Sequence, residues 1–264
     1  MLTELHGKGG RICQSALDGQ LRCPLIIRPT SEDVVTGHLC QVLRVLNSRW
    51  WLPDLLNLAL GSHRFHRQFH RNLRIDPWRN RPKYPREMLP WDEGSTQVDL
   101  TFQWDNPPTT VYVEMKYGSD LSMKTAGDDG QHGFPSDQLI RNVRVGLMEC
   151  GWFRRGRMFH IEPRDLVVIL CCPAKGHRLV ERYSDPERLQ AAIPHSDRLT
   201  GLPPHPFIGE LSYRDIVTVL RRQRCWFTRP ERYLVDSLGD YLTYKAISIS
   251  GEPDGSQPKF PLLP

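Results

Sequence analysis

Residues 96–116 read TQVDLTFQWDNPPTTVYVEMK, and their alternation decides the fold class. Val98, Leu100, Phe102 and Trp104 fall on one face of a strand over 96–104, with Gln97, Asp99, Thr101 and Gln103 on the other. Val111, Val113 and Met115 likewise oppose Tyr112, Glu114 and Lys116 over 110–116. The intervening DNPPT is a strong turn signal, so the two strands form a β-hairpin. Antiparallel partners have residue numbers of constant sum, and apolar positions must face apolar ones. Here the even-numbered apolar set must meet the odd-numbered set, so the sum is odd. A sum of 213 places Asp99 opposite Glu114 and leaves a four-residue loop between Trp104 and Thr109, whereas 215 places Asp99 opposite Lys116. In either register Asp99, Glu114 and Lys116 converge on one polar face. Two adjacent carboxylates repel unless a cation lies between them, so the lysine or a metal ion is implied.

Downstream, YGSDLSMKTAGDDGQHGFP has no periodic pattern and reads as a long loop, functional or mobile. Asp128 and Asp129 within it read as solvated acids. Ser136 is placed to cap a helix over about 137–149 that buries Leu139, Val143 and Leu147 and carries Gln138 in its first turn. The run LVVILCC, 166–172, reads as a fully buried central strand. Beyond Pro173 the pattern is mainly helical, with helices expected at 185–192, 212–223 and 229–245 and a frayed Gly/Pro-rich end. Upstream, residues 1–30 read as an extension. Ser31 is placed to cap a helix to about Leu46 whose stripe is Val35, Leu39, Val42 and Leu46. Glu32 lies on that stripe. Either it turns inward and needs a partner, or it remains exposed and favours the positive helix N-terminus.

The resulting order is a helix with Glu, a hairpin with Asp and Glu-x-Lys, a helix with Gln, and a buried strand. Asp99 followed fifteen residues later by Glu114-Met115-Lys116 resembles the PD-(D/E)xK nuclease superfamily, which includes many restriction endonucleases and RecB-like exonucleases. The resemblance spans residues 31–172. It implies an α/β, restriction-endonuclease-like αβββαβ core over 31–175, with a mixed central sheet flanked by helices. Residues 176–264 would be a helical elaboration of the same domain, and the missing first strand would lie at 84–91. It also implies Mg²⁺, with Mn²⁺ as a substitute, held by Asp99, Glu114 and the Met115 carbonyl and completed or supported by Glu32. Lys116 would act on the attacking water and the phosphate, and Gln138 would contact the lysine or the DNA. Val98 stands in place of the motif proline. Asn142 stands four residues after Gln138, where RecB-like members often carry tyrosine. The acids Asp92 and Glu93 precede the hairpin and lie nearer the site than Asp128 and Asp129.

The chemistry agrees with the resemblance. Phosphodiester hydrolysis needs a nucleophile delivered to an anion and the developing charge stabilised, and carboxylate-bound Mg²⁺ does both. The chain has 264 residues and a net charge of +5, but the charge is unevenly placed. Residues 63–86 hold seven arginines and Lys83 against the single acid Asp76, which points to a nucleic-acid partner, duplex DNA above all. Arg64, Arg67, Arg71, Arg74, Arg79, Arg81 and Lys83 are the expected phosphate contacts, with Trp78 and Tyr84 interleaved. His66 and His70 have a metal-compatible i,i+4 spacing, but arginines surround them. A catalytically silent DNA-binding subunit and an RNA-cleaving nuclease are the alternatives. Membership of an antiviral defence or mobile-element complex, as a homo-oligomer or partner subunit, is suggested only by family analogy. The chain contains no GxSxG or GxxxxGK[ST] motif, which leaves acyl transfer and NTP hydrolysis without support. No apolar stretch approaches the roughly 18 residues of a membrane span, and the N-terminus has no apolar signal-peptide region. Seven cysteines without a CxxC pair read as buried thiols, so a reducing cytoplasm is expected.

Overall fold

The computed structural model describes residues 32–81, 95–117, 133–153 and 163–245. The 1–30 extension, Ser31, Lys83, Tyr84, Asp92, Glu93, Asp128, Asp129, the expected strand at 84–91 and the C-terminal tail lie outside these residues. The first helix, α1 (Glu32–Val45), buries the expected stripe of Val35, Leu39, Val42 and, just past its end, Leu46. A second helix, α2 (Ser48–Leu60), follows, capped by the Asn47 side chain and closed by Gly61 in the left-handed region. Its interior Pro53 conceals it in the sequence.

The hairpin consists of β2 (Gln97–Asp105) and β3 (Pro108–Met115) in the 213 register, Leu100 facing Val113 and Trp104 facing Thr109. The ladder runs one pair further than expected, to Asp105–Pro108, so the loop is only Asn106 and Pro107. Among the described residues the strand that pairs with β2 on its other side is β1 (Arg74–Asn80), antiparallel to it, which the sequence pattern did not announce. Its Pro77 argues against a central strand, yet β1 is an edge strand, where a missing N–H is tolerated. Helix α3 (Gln138–Glu149) buries Leu139, Val143 and Leu147 as expected, but Asp137 is the residue whose side chain caps it. Strand β4 (Asp165–Cys172) is fully covered and parallel to β3, as the apolar run requires.

The C-terminal part is not purely helical. Two short helices, α4 (Arg178–Ser184) and α5 (Pro186–Ala191), lead to a fifth strand, β5 (Ile208–Ser212), parallel to β4. Gly209 in β5 packs against the backbone of Ala59 in α2, where any Cβ would collide with the Ala59 carbonyl. Glycine inside a strand here marks a close approach of two backbones. Helices α6 (Tyr213–Arg222) and α7 (Arg229–Tyr244) follow, each opened by a reciprocal capping box.

The outcome is a five-stranded mixed sheet, ordered β1 to β5, with helices on both faces. One apolar cluster joins α1, α2, α6 and α7 to Leu100, Phe102, Trp104, Val111, Val113, Val167 and Ile169. The other joins α3, α4 and α5 to Tyr112, Leu166, Val168 and Leu170. Val98 departs from its expected face and belongs to this second cluster. Trp78, with φ of 50°, lies between the pairs Pro77–Leu100 and Arg79–Val98, and the alternation of β2 reverses beside it. Cys40, Cys150, Cys171 and Cys172 are buried free thiols, while Cys225 is exposed. Among the described residues no helix is long and apolar enough to cross a membrane.

Candidate active site

Asp99, Glu114, Lys116 and Glu32 meet where β2 begins and β3 ends, beneath the first turn of α1. Asp99 is buried, and its Oδ2 accepts the Met115 N–H at 3.0 Å. This bond ties the acid to the backbone between Glu114 and Lys116. Glu114 is only 1% exposed. Its Oε1 lies 3.0 Å from the Lys116 ammonium, and its Oε2 accepts from Asn142 Nδ2 at 3.0 Å. Lys116 is itself 8% exposed, and its ammonium also faces Glu32 Oε2 at 3.7 Å. The other oxygen of Glu32 accepts the Tyr117 N–H at 3.1 Å. Glu32 therefore turns toward a partner as its place on the buried stripe requires, and the exposed alternative is not adopted.

The electrostatics follow from burial. The Lys116 ammonium faces Glu114 and Glu32, and Asp99 lies close enough to Glu114 for its charge to be felt there. Desolvation, and then the charge of Asp99, push the Glu114 carboxyl up to about 7, while Lys116 and the Asn142 amide hold it down. Tyr213 donates its hydroxyl to the Lys116 carbonyl at 3.0 Å, and burial raises that phenol well above its ordinary range. It stays neutral and fixes the backbone of the lysine. The Lys116 N–H donates to Cys171 O at 2.7 Å, so β4 supports the lysine from the other side.

The raised Glu114 carboxyl has a measurable consequence for the metal-free protein. The unfolded chain releases this proton near 4.5 and the folded chain near 7, so between these values the folded state holds more protons. Its contribution to stability is thus greatest at low pH and falls as pH rises to about 7. At about 1.4 kcal/mol per unit the loss is on the order of 3 kcal/mol. Glu114→Gln removes the titration, so its stability relative to wild type should improve between pH 5 and pH 8. Urea unfolding in EDTA measures this, and parallel pH profiles for the two proteins would contradict the assignment.

Gln138, the first residue of α3, makes no bond to Lys116. It lines a pocket of about 160 Å³ with Thr96, Glu114, Arg141 and Asn142, and its buried Oε1 has no hydrogen-bond partner. Asn142 is the site residue that the sequence reading passes over. Its signal was its spacing: four residues after Gln138, it shares the helix face that looks at β3. Met115 contributes its N–H to Asp99 and buries its side chain in the core.

The basic window does not form one continuous strip. Arg81 is a core residue, paired with Glu149 at 3.2 Å, bonded to Thr101 Oγ1 at 2.8 Å and lying over the Tyr112 ring. It joins the edge of the sheet to α3 and is not available to a phosphate. Arg64 is likewise committed, to Asp165 at 2.8 Å and to backbone carbonyls of Pro204 and Pro206. Arg67 pairs with Asp54 at 3.4 Å and Arg79 with Asp76 at 3.5 Å, both at the surface. Arg71 and Arg74 are exposed. The split arises because β1 forms within the window and sends successive side chains to opposite faces. His70 shares a hydrogen bond with Ser48 at 3.2 Å and sets its ring edge-on to Trp104. Among the described residues no group of three or more His, Cys, Asp or Glu side chains forms a ready metal cage. Comparison of the chain with protein-family models, curated proteins and solved structures returns no match in any of the three.

Proposed function

We propose that this chain is a divalent-cation-dependent nuclease of the PD-(D/E)xK type, acting on DNA. The observation that carries the reading is the cluster at the end of the hairpin. Lys116 points between Glu114 and Glu32, with Asp99 bonded to the intervening Met115 N–H. Four residues from three separate segments, singled out by one motif, reach one place. The element order also supports it: a helix, a three-strand meander, a helix and a parallel strand make an αβββαβ core, with α2 inserted after the first helix.

The donor set suits a hard divalent cation. Asp99 and Glu114 are buried carboxylates on neighbouring strands, and the Glu114 carboxyl is raised first by burial and then by the charge of Asp99. Mg²⁺ binds through one or two carboxylates and retains several waters, so it needs no three-residue cage. Asp99 and Glu114 would hold it, with Glu32 supporting from α1, and it would supply Lewis acidity toward the phosphate. The chain's own groups do the rest. Lys116, held by two carboxylates, aims a cationic donor at an attacking water or a nonbridging phosphate oxygen. Asn142 fixes one Glu114 oxygen, leaving the other toward Lys116 and the cleft. The exposed guanidinium groups of Arg71, Arg74 and Arg79 provide general attraction for a polyanion.

The test is nicking of supercoiled plasmid in Mg²⁺ or Mn²⁺ beside an EDTA control. Cation-dependent nicking is expected, weaker on RNA of equal length. RNA cleavage alone would replace DNA as the substrate. Salt-dependent DNA binding with no cleavage of either polymer would overturn catalysis and leave a binding subunit.

A further inference from the structure

The end of α1 remote from Glu32 carries a second surface of distinct chemistry. Trp50, in the first turn of α2, stacks on Trp226 with ring centres 4.5 Å apart and planes within 11°. Trp226 is 54% exposed, and neighbouring Phe69 is 77% exposed. The Arg49 guanidinium lies against Trp50 and Phe69, 5.1 Å from each ring centroid. Arg67 covers the Trp50 ring as well, at 5.7 Å, but its charge is met by Asp54. Arg224 nearby is met by Asp236 at 2.9 Å. Among the described residues no acid pairs with Arg49, and its buried Nε has no hydrogen-bond partner.

A guanidinium against two aromatic rings is restrained and partly stripped of water, yet it stays charged. Its outward N–H groups then form a preset fork for an anion of phosphate geometry. The two exposed rings beside it offer flat apolar faces of the size of a base. We propose that this patch binds single-stranded nucleic acid, with Arg49 on a phosphate and Phe69 and Trp226 as stacking platforms for unpaired bases. A duplex does not satisfy the rings, because its bases already cover one another. A second copy of this chain fits poorly, since it would bring an equally unpaired cation into the interface. An open groove of about 460 Å³, walled by Arg44, Arg74 and Asp76, adjoins the patch through Ser48 and extends the path along β1.

The surface is separate from the carboxylate cluster. The fourteen residues of α1 put roughly 20 Å between Glu32 and the start of α2. Binding is therefore measurable with cleavage switched off, and it stands or falls apart from the nuclease reading. The probe is a fluorescein-labelled oligothymidylate of about fifteen nucleotides, titrated in EDTA and followed by anisotropy. Trp226→Ala and Phe69→Ala should each weaken binding by about 5- to 100-fold. R49Q should weaken it and reduce the dependence of log K on log salt by about 0.7, the value of one phosphate contact on a single strand. A duplex of equal length should respond by less than about twofold to the ring substitutions. Trp226 and Phe69 are exposed and Arg49 is half-buried, and the variants should unfold at or near the wild-type temperature. Folded variants that bind the oligonucleotide as wild type does would overturn the proposal. So would equal losses for single strand and duplex, which would reduce the patch to diffuse charge. Wild-type dimerisation in sedimentation, abolished by Trp226→Ala, would assign the surface to a protein interface instead.

Discussion

Lys116→Met is expected to lower the rate of phosphodiester cleavage by about 10²- to 10⁴-fold while leaving DNA affinity in EDTA within a few-fold of wild type. The argument starts from restraint. A surface lysine samples many rotamers and contributes little to an oriented transition state. The Lys116 ammonium instead has Glu114 at 3.0 Å and Glu32 at 3.7 Å, with its own carbonyl bonded to Tyr213 and its N–H to Cys171. Its charge is thus fixed in direction before substrate arrives, and such preorganisation is worth most where water is excluded. Methionine keeps the length of the side chain and its packing, so the change isolates the ammonium. Glu32→Gln should cost less, about tenfold, because Glu114 still holds the lysine. Single-turnover cleavage and anisotropy, run on the same preparations, separate rate from binding. A Lys116→Met protein that cleaves at the wild-type rate would remove the lysine from the chemistry.

The hairpin was legible because alternation and parity together allow few registers. The choice between Asp99–Glu114 and Asp99–Lys116 needed the structure, as did the reversed face of Val98 and the shorter loop. For Glu32 the same logic left two readings, inward with a partner or exposed at the helix N-terminus, and the contact with Lys116 decides between them. Strand β1 was hidden by Pro77 and by its arginines, which read as part of a phosphate-binding strip. At a sheet edge both are permitted, and Arg81 points inward where Glu149 meets it. Helix α2 was hidden by Pro53, and β5 by its shortness and by Gly209. That glycine is there for a contact with Ala59 that no local pattern can announce. Asn142 read as a departure from a motif, and only packing against Glu114 gives it a role. Local periodicity thus revealed what repeats along the chain. Contacts between distant segments, Arg49 with Phe69 or Trp50 with Trp226, leave no such trace.

Asp99→Asn is expected to move stability and activity in opposite directions. The amide oxygen can still accept the Met115 N–H, so the local backbone keeps its bond. What disappears is one negative charge beside a buried one. The charge of Asp99 is the second contributor, after burial, to the elevated Glu114 carboxyl, so its removal brings Glu114 closer to the ordinary range. Above neutral pH, where wild-type Glu114 is ionised at a cost, the variant should be more stable in EDTA by about 1 kcal/mol. Below pH 5 Glu114 is protonated in both proteins and the gain should vanish. Divalent cations reverse the ranking. Mg²⁺ at a hundred times its dissociation constant would stabilise wild type by about 2.7 kcal/mol, because it binds only the folded chain. Asp99→Asn has lost half of the paired carboxylate charge, so its unfolding midpoint should barely respond to Mg²⁺, and cleavage should fall by about 10³-fold or more. Chemical unfolding with EDTA or Mg²⁺ at pH 5 and pH 8 provides all four comparisons. If Asp99→Asn retains a wild-type response to Mg²⁺, the cation does not sit between these strands. If it is destabilised in EDTA at pH 8, Asp99 serves the fold rather than the site. Stability given up at two adjoining acids, and recovered only on binding a cation, is the thermodynamic signature expected of a site built for one.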